Sequence, residues 1–167
     1  MTNTAMTNTA MTNSVNPIPE GYHSINCFLA VPDANAAIEF YGTVFGAELL
    51  SRNDLPDGQA AHAELKLGDS TFQLGMPIPS ENVQAPDPGW VHTSIVHYCP
   101  DVDAVAKLAR EHGAKRVTDP ETFVTGDRYG LVMDPFGHRW VIMTRVEDVS
   151  REESERRVNE WMASQQG

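Results

Sequence analysis

The sequence predicts an α+β fold: two βαβββ modules forming a cupped mixed β-sheet with helices on its outer face. Three observations lead there. The first is internal repetition. Val31-Pro32-Asp33 returns as Cys99-Pro100-Asp101 after 68 residues, Phe45-Gly46-Ala47 as His112-Gly113-Ala114 after 67, and the Gly68 turn as the Gly137 turn after 69. Self-similarity at one period marks two copies of a single supersecondary unit. The second is that in each copy a strand-like run meets a Pro-Asp pair that opens a helical stripe. The third is the glycine turn that closes each copy. One helix per copy covers one sheet face, and the other faces are left to line a shared cup.

Taken in order, residues 1–15 read MTNTA-MTNTA-MTNSV, a tandem pentamer too poor in apolar side chains for a core. It lacks the basic start and apolar run of a signal peptide. With the lead-in Pro17–Gly21, this gives a disordered tail over 1–20. The first module is expected over 21–76. Ser24–Val31 alternates, with Ile25, Cys27, Leu29 and Val31 on one face and Asn26 and Phe28 on the other. Asp33 caps a helix carrying Ala34, Ile38, Tyr41 and Phe45 at helical spacing, and Gly46 ends it. Strands follow at Ala47–Arg52, Ala61–Leu67 and Thr71–Gly75. In the second of these, Ala63, Leu65 and Leu67 oppose His62, Glu64 and Lys66.

The connector, 77–90, is rich in proline and has no periodicity. The second module, 91–146, repeats the scheme. His92–Cys99 is a strand, Asp101 caps a helix with Val102, Val105, Leu108 and Ala109 as its stripe, and Gly113 closes it. A closing hairpin turns at Asp134-Pro135-Phe136-Gly137, where proline fixes φ and glycine allows the reversal. In that hairpin Trp140 has the parity opposite to Val141, so it is expected to pack against a helix. Over 147–167, Ser150 and Glu153 form a capping box for a short C-terminal helix docked through Trp161.

Composition excludes several classes. A formal charge of −11 argues against a nucleic-acid partner. No apolar run approaches a membrane span. Cys27 and Cys99 sit in apolar strand-like runs and are read as reduced core thiols. A soluble, cytoplasmic protein is expected.

The loop Gly126-Asp127-Arg128 followed by the D-P-x-G-x-x-W hairpin, Asp134 to Trp140, resembles the glyoxalase/bleomycin-resistance/extradiol-dioxygenase (vicinal oxygen chelate) superfamily, most of all its PhnB-like branch. The resemblance implies two βαβββ modules around a cup. In the enzymes of that superfamily, one residue from the first and last strand of each copy holds a divalent metal. Those positions fall on Asn26, Gln73, Ser94 and Val141. None is His, Asp or Glu, and valine cannot coordinate. Members of the bleomycin-resistance type keep the cup without a metal and simply bind.

The expected function is therefore a metal-free cup, with no cofactor, that binds or sequesters a small, partly aromatic or apolar molecule in a homodimer. Phe28, Tyr98, Arg139 and Met143 join the quartet as ligand-binding candidates, because an aromatic pair with a few hydrogen-bonding groups suits a small-molecule pocket. Trp90 either lids the mouth or anchors the connector. Asp127 and Arg128 are expected to pair locally, and His97 to be a satisfied core histidine. The rival reading is a lyase or isomerase in which His62, Glu64 and His92 form a displaced metal site or an acid–base set.

Overall fold

A computed structural model describes residues 15–87 and 89–165. Most of the expected tail lies outside the described residues. The first module comprises β1 (Phe28–Ala30), α1 (Ala34–Phe45), β2 (Glu48–Asp54), β3 (Ala60–Leu67) and β4 (Ser70–Gly75). A 3-10 turn at Pro79–Glu81 interrupts the connector. The second comprises β5 (Ser94–Tyr98), α2 (Val102–Glu111), β6 (Arg116–Val117), β7 (Glu121–Thr122), β8 (Asp127–Met133) and β9 (Arg139–Arg145), after which α3 (Arg151–Ser164) follows.

The repeated Pro-Asp pair builds the same helix start twice. The Asp33 carboxylate accepts from the Ala36 amide at 3.0 Å, and Asp101 accepts from Ala104 at 3.0 Å. Gly46 ends α1 at φ 73°, where a side chain would be strained. As the two-module α+β reading expects, the strands form mixed sheets, one per module, ordered β1-β4-β3-β2 and β5-β9-β8-β6, with β7 added on β8. The edges β1 and β5 do not pair with each other. One cause lies in β1, which spans three residues where eight were expected. The Asn26 amide turns back to donate to the His23 carbonyl at 2.6 Å, and such a local bond competes with extension.

Both helices and the inner faces of both sheets bury one continuous core. Tyr41 sits at its centre, with Phe72, Phe136 and Trp140 at ring distances of 5.7, 5.9 and 5.4 Å. Trp140 does pack against a helix, but it is α1 of the other module, with Phe45 at 4.6 Å. Asp134 is fully buried and accepts from the Tyr41 hydroxyl (2.8 Å), Trp140 Nε1 (3.0 Å) and the amides of Phe136 (3.0 Å) and His138 (2.8 Å). His138 Nε2 meets the Ala30 carbonyl at 2.9 Å, so that nitrogen carries the proton. The closing hairpin of the second module is thereby bolted to the first.

Half of the capping box forms: Ser150 Oγ accepts from the Glu153 amide at 3.2 Å, while the Glu153 carboxylate turns to Arg156 and Arg157 instead of the Ser150 amide. Trp161 meets Phe123 edge-on at 5.1 Å yet stays 40% exposed, and no residue of α3 is buried. Arg157 supplies the rest of the attachment. It reaches out of the helix to Glu147 at 2.8 Å and to the Val124 carbonyl at 3.3 Å, while its 2.7 Å pair with Glu153 lies within α3. Hydrogen bonds from Arg156 and Arg157 hold the Glu153 carboxyl down at about 2, and Arg157 lowers Glu147. A carboxylate depressed on folding contributes above its ordinary pKa and loses that contribution as pH falls toward the depressed value. Of these two carboxylates only Glu147 lies outside α3, so detachment of α3 is expected as pH falls below about 4.5 and the Glu147 pairing is lost. Trp161 fluorescence should report it, and added salt should move it to higher pH. An unchanged Trp161 signal down to pH 2 would mean that the Phe123 contact alone holds the helix.

Candidate functional site

Strand alternation buries Ala63, Leu65, Phe72 and Leu74 beneath the first sheet and leaves His62, Glu64 and Gln73 on its helix-free face. Register then assembles a row across that face, because Phe28 pairs with Gln73, Gln73 with Glu64, and Glu64 with Ser51. Gln73 Nε2 donates to Glu64 Oε1 at 3.0 Å, and Ser51 Oγ donates to Glu64 Oε2 at 3.2 Å. The Tyr22 hydroxyl, with Ser51, Gln73 and nearby His62, holds the Glu64 carboxyl below its ordinary value. Glu64 is thus an anion at neutral pH and a weaker base than a free carboxylate. His62 stacks on Phe28, with ring centres 6.1 Å apart.

The equivalent row of the second sheet is aliphatic, running from Val96 to Val141 to Leu131. Flanking it are Ser94, Arg139 and Met133 on one side and Tyr98, Met143 and Tyr129 on the other. Arg139 Nη1 donates to the Ser94 hydroxyl. Val96 and Tyr98 are more than half exposed. Burial, then the Asp127 carboxylate, raises the Tyr98 hydroxyl.

Two cavities open along the seam between β1 and β5. One, of about 370 Å³, is walled by Phe28, Trp90, His92, His138 and Arg139. The other, of about 440 Å³, is walled by Asn26, Phe72, Val96, His97, Tyr98 and Trp140. Cys27, Leu29 and Ile95 line both. The sequence-derived candidates therefore divide. Phe28, Arg139 and His92 meet in the first cavity, and Asn26 and Tyr98 in the second. Gln73 and Glu64 lie on the open face of the first sheet, Ser94, Val141 and Met143 on that of the second. Tyr22 and Ser51 were missed. Tyr22 belongs to the unpatterned lead-in, and Ser51 joins the row only through the register of β2.

Three expectations need correction. Cys27 is exposed at the seam because β1 begins after it, and only Cys99 is buried. Asp127 and Arg128 do not pair with each other. Arg128 makes two 2.7 Å bonds to Asp103 of α2, while Asp127 accepts from Thr125 at 3.0 Å. His97 is on the inner side but unsatisfied, its Nε2 buried without a partner beside Phe45. Burial lowers its pKa and favours the neutral ring. Trp90, for which a lid and a loop anchor were the alternatives, needs no correction: it lines the first cavity and is 74% exposed.

Asn26, Gln73, Ser94 and Val141, which the resemblance puts at the metal positions, do not suit a divalent ion. Two amides, a hydroxyl and a valine offer no charge to offset a dication and no imidazole. Asn26 and Ser94 also lie two positions along the chain from Phe28 and Val96, the register partners of Gln73 and Val141. Among the described residues, His62, Glu64 and His92 are not drawn together with other His, Cys, Asp or Glu side chains into a group of three able to hold a metal. No helix among the described residues is long and apolar enough to cross a membrane.

Comparison with known proteins fits this geometry. An uncharacterized protein of Mycobacterium bovis is 37% identical over 129 residues, covering 75% of this chain and 85% of that protein. A Mycobacterium tuberculosis protein is 37% identical over the same length, covering 75% and 76%. Among solved structures, TioX from a Micromonospora species superposes with TM-score 0.57 at 24% identity, covering 77% of this chain and 100% of that one. The PhnB protein of Bacillus cereus, described as a putative 3-demethylubiquinone-9 3-methyltransferase, gives 0.56 at 18%, covering 73% and 99%. The bleomycin resistance determinant of transposon Tn5 gives 0.54 at 18%, covering 74% and 98%. These structural likenesses share the paired-module fold, and residues 23–142 match the superfamily's sequence profile. By that match the chain belongs to the glyoxalase/bleomycin resistance protein/dioxygenase superfamily.

Proposed function

We propose that the protein binds a small, partly aromatic or apolar molecule without a metal, in a cup completed by a second copy of the chain. One observation carries this reading. The helix-free faces present aromatic and aliphatic side chains (Phe28, Val96, Tyr98, Met143) beside a few hydrogen-bonding groups (Gln73, Ser94, Arg139), and Phe28, Val96 and Tyr98 remain exposed in the single chain. That mixture of apolar walls and sparse polar anchors suits a small-molecule pocket. A C2 dimer would cover such faces with their counterparts. The free thiols Cys27 and Cys99 accord with a cytoplasmic setting.

The test is a ligand screen read by thermal shift, since a ligand that binds only the folded state raises the melting temperature. Stabilisation should appear without added metal and survive chelator. Gln73→Ala and Tyr98→Ala should each reduce it by tenfold or so in affinity, about 1.4 kcal/mol, while His62→Ala should matter little. Light scattering at tens of micromolar should give the mass of a dimer. One tightly bound zinc, nickel or iron per chain, lost on His62→Ala or His92→Ala, would overturn the reading in favour of a displaced-metal enzyme.

A further inference from the structure

We propose that the cavity of about 370 Å³ selects an anionic ligand, a planar aryl carboxylate whose charge is met by Arg139. This rests on the binding function above, with which the cavity shares Phe28 and Arg139, and adds a subsite and the sign of the charge it takes. The chain carries 23 acidic residues against 12 basic, yet no Asp or Glu lines this cavity. Its ionisable side chains, apart from the Cys27 thiol, are His92, His138 and Arg139. In so acidic a protein, a wall free of carboxylates and holding a guanidinium marks where an anion is tolerated.

Arg139 is also unlike the other arginines. Six of them, Arg52, Arg110, Arg128, Arg145, Arg156 and Arg157, each lie within ion-pair distance of a carboxylate. Arg116 and Arg151 have no such partner among the described residues, but both are exposed. Arg139 is half-buried, and its side-chain hydrogen bond goes to the neutral hydroxyl of Ser94. A guanidinium has five N–H donors in a planar fork, so most remain free for a carboxylate. The Asp134 carboxylate, at the base of the same hairpin, does not compensate it. That group is fully buried and already accepts from four donors. The rest of the wall, including Phe28, Trp90 and Ile95, suits a flat apolar body.

The experiment compares three probes of one shape: 2-naphthoate, neutral 2-naphthamide and cationic 2-naphthylmethylammonium. Binding is read by quenching of Trp90 fluorescence, with Trp90→Phe to assign the signal, and by thermal shift. Naphthoate should bind about tenfold or more tighter than naphthamide, as expected for a charge-assisted pair. Arg139→Gln should erase that preference, Arg139→Lys should restore part of it, and Arg116→Gln should leave it intact. Equal binding of acid and amide, or tighter binding of the cation, would overturn the charge assignment while leaving a binding pocket in place. Failure of all three probes at about 1 mM would overturn the inference outright. The wider function would still be decided by the Gln73 and Tyr98 variants, which lie outside this cavity.

Discussion

Asp134→Ala is expected to destabilise the protein by at least about 4 kcal/mol, enough to unfold much of it near body temperature. The carboxylate is fully buried and is the shared acceptor for a phenol, an indole and two backbone amides. Alanine leaves all four donors without a partner in a dry site, and each orphan costs about 1–3 kcal/mol. The Tyr41 hydroxyl stays a donor throughout the working pH range, because burial and then the Asp134 charge push its pKa well above the usual phenol value. Asp134→Asn should cost less, about 2 kcal/mol, since one oxygen survives while the new amide faces donors. Urea unfolding followed by circular dichroism would measure both. A cost below about 1 kcal/mol for alanine would show that water or rearrangement replaces the carboxylate, and that the hairpin is held by packing alone.

The same residue shows how far the sequence could be read. Asp134-Pro135-Phe136-Gly137 was legible as a turn, because turn chemistry is local. That the Asp134 side chain points inward and ties Tyr41 of the other module to Trp140 was not, because the bond spans 93 residues. The two modules were legible through their repeats. Asp33 and Asp101 make the same cap because both follow proline and precede an apolar stripe, and those signals need no tertiary context. How the edges β1 and β5 meet is a matter of tertiary packing, which alternation does not encode.

The site was less legible than the fold for a related reason. Parity places Glu64 and Met143 on helix-free faces and the superfamily spacing adds Gln73 and Val141, and the strand burial pattern has all four there. Asn26 and Ser94 were chosen by distance from the Pro-Asp pair, and the register sets them two positions from the row that holds Gln73 and Val141. Parity puts His92 on a face with Ser94 and Tyr98 that would meet the face of His62 and Glu64 across the cup, yet it precedes β5 and walls the seam cavity. Charge pairing was hardest to foresee. Arg128 follows Asp127 in the chain but reaches Asp103, because successive residues of a strand point to opposite faces.

Trp140→Ala is expected to cost roughly 3–5 kcal/mol, the range for removing a large buried aromatic side chain. Trp140 is 1% exposed and lies within 4.6 to 6.1 Å of the rings of Phe45, Tyr41 and Phe72. Two of these belong to α1 and one to β4, so the indole from β9 reaches from between Ile95 and Val132 into a wall of first-module rings. Truncation therefore opens a cavity exactly where the two modules share their core, and the rigid aromatic neighbours cannot collapse into it cheaply. Part of the loss is polar, since Asp134 would lose the Nε1 donor at 3.0 Å. Trp140→Phe separates the contributions. It keeps most of the packing and removes the hydrogen bond, so its cost should stay near 1–2 kcal/mol. Both variants should lower the denaturation midpoint with little change in m-value if the modules still unfold together. A biphasic transition in Trp140→Ala would show instead that the indole is what couples them, and a nearly neutral substitution would place Trp140 outside the core and invert the strand parity on which the binding faces depend.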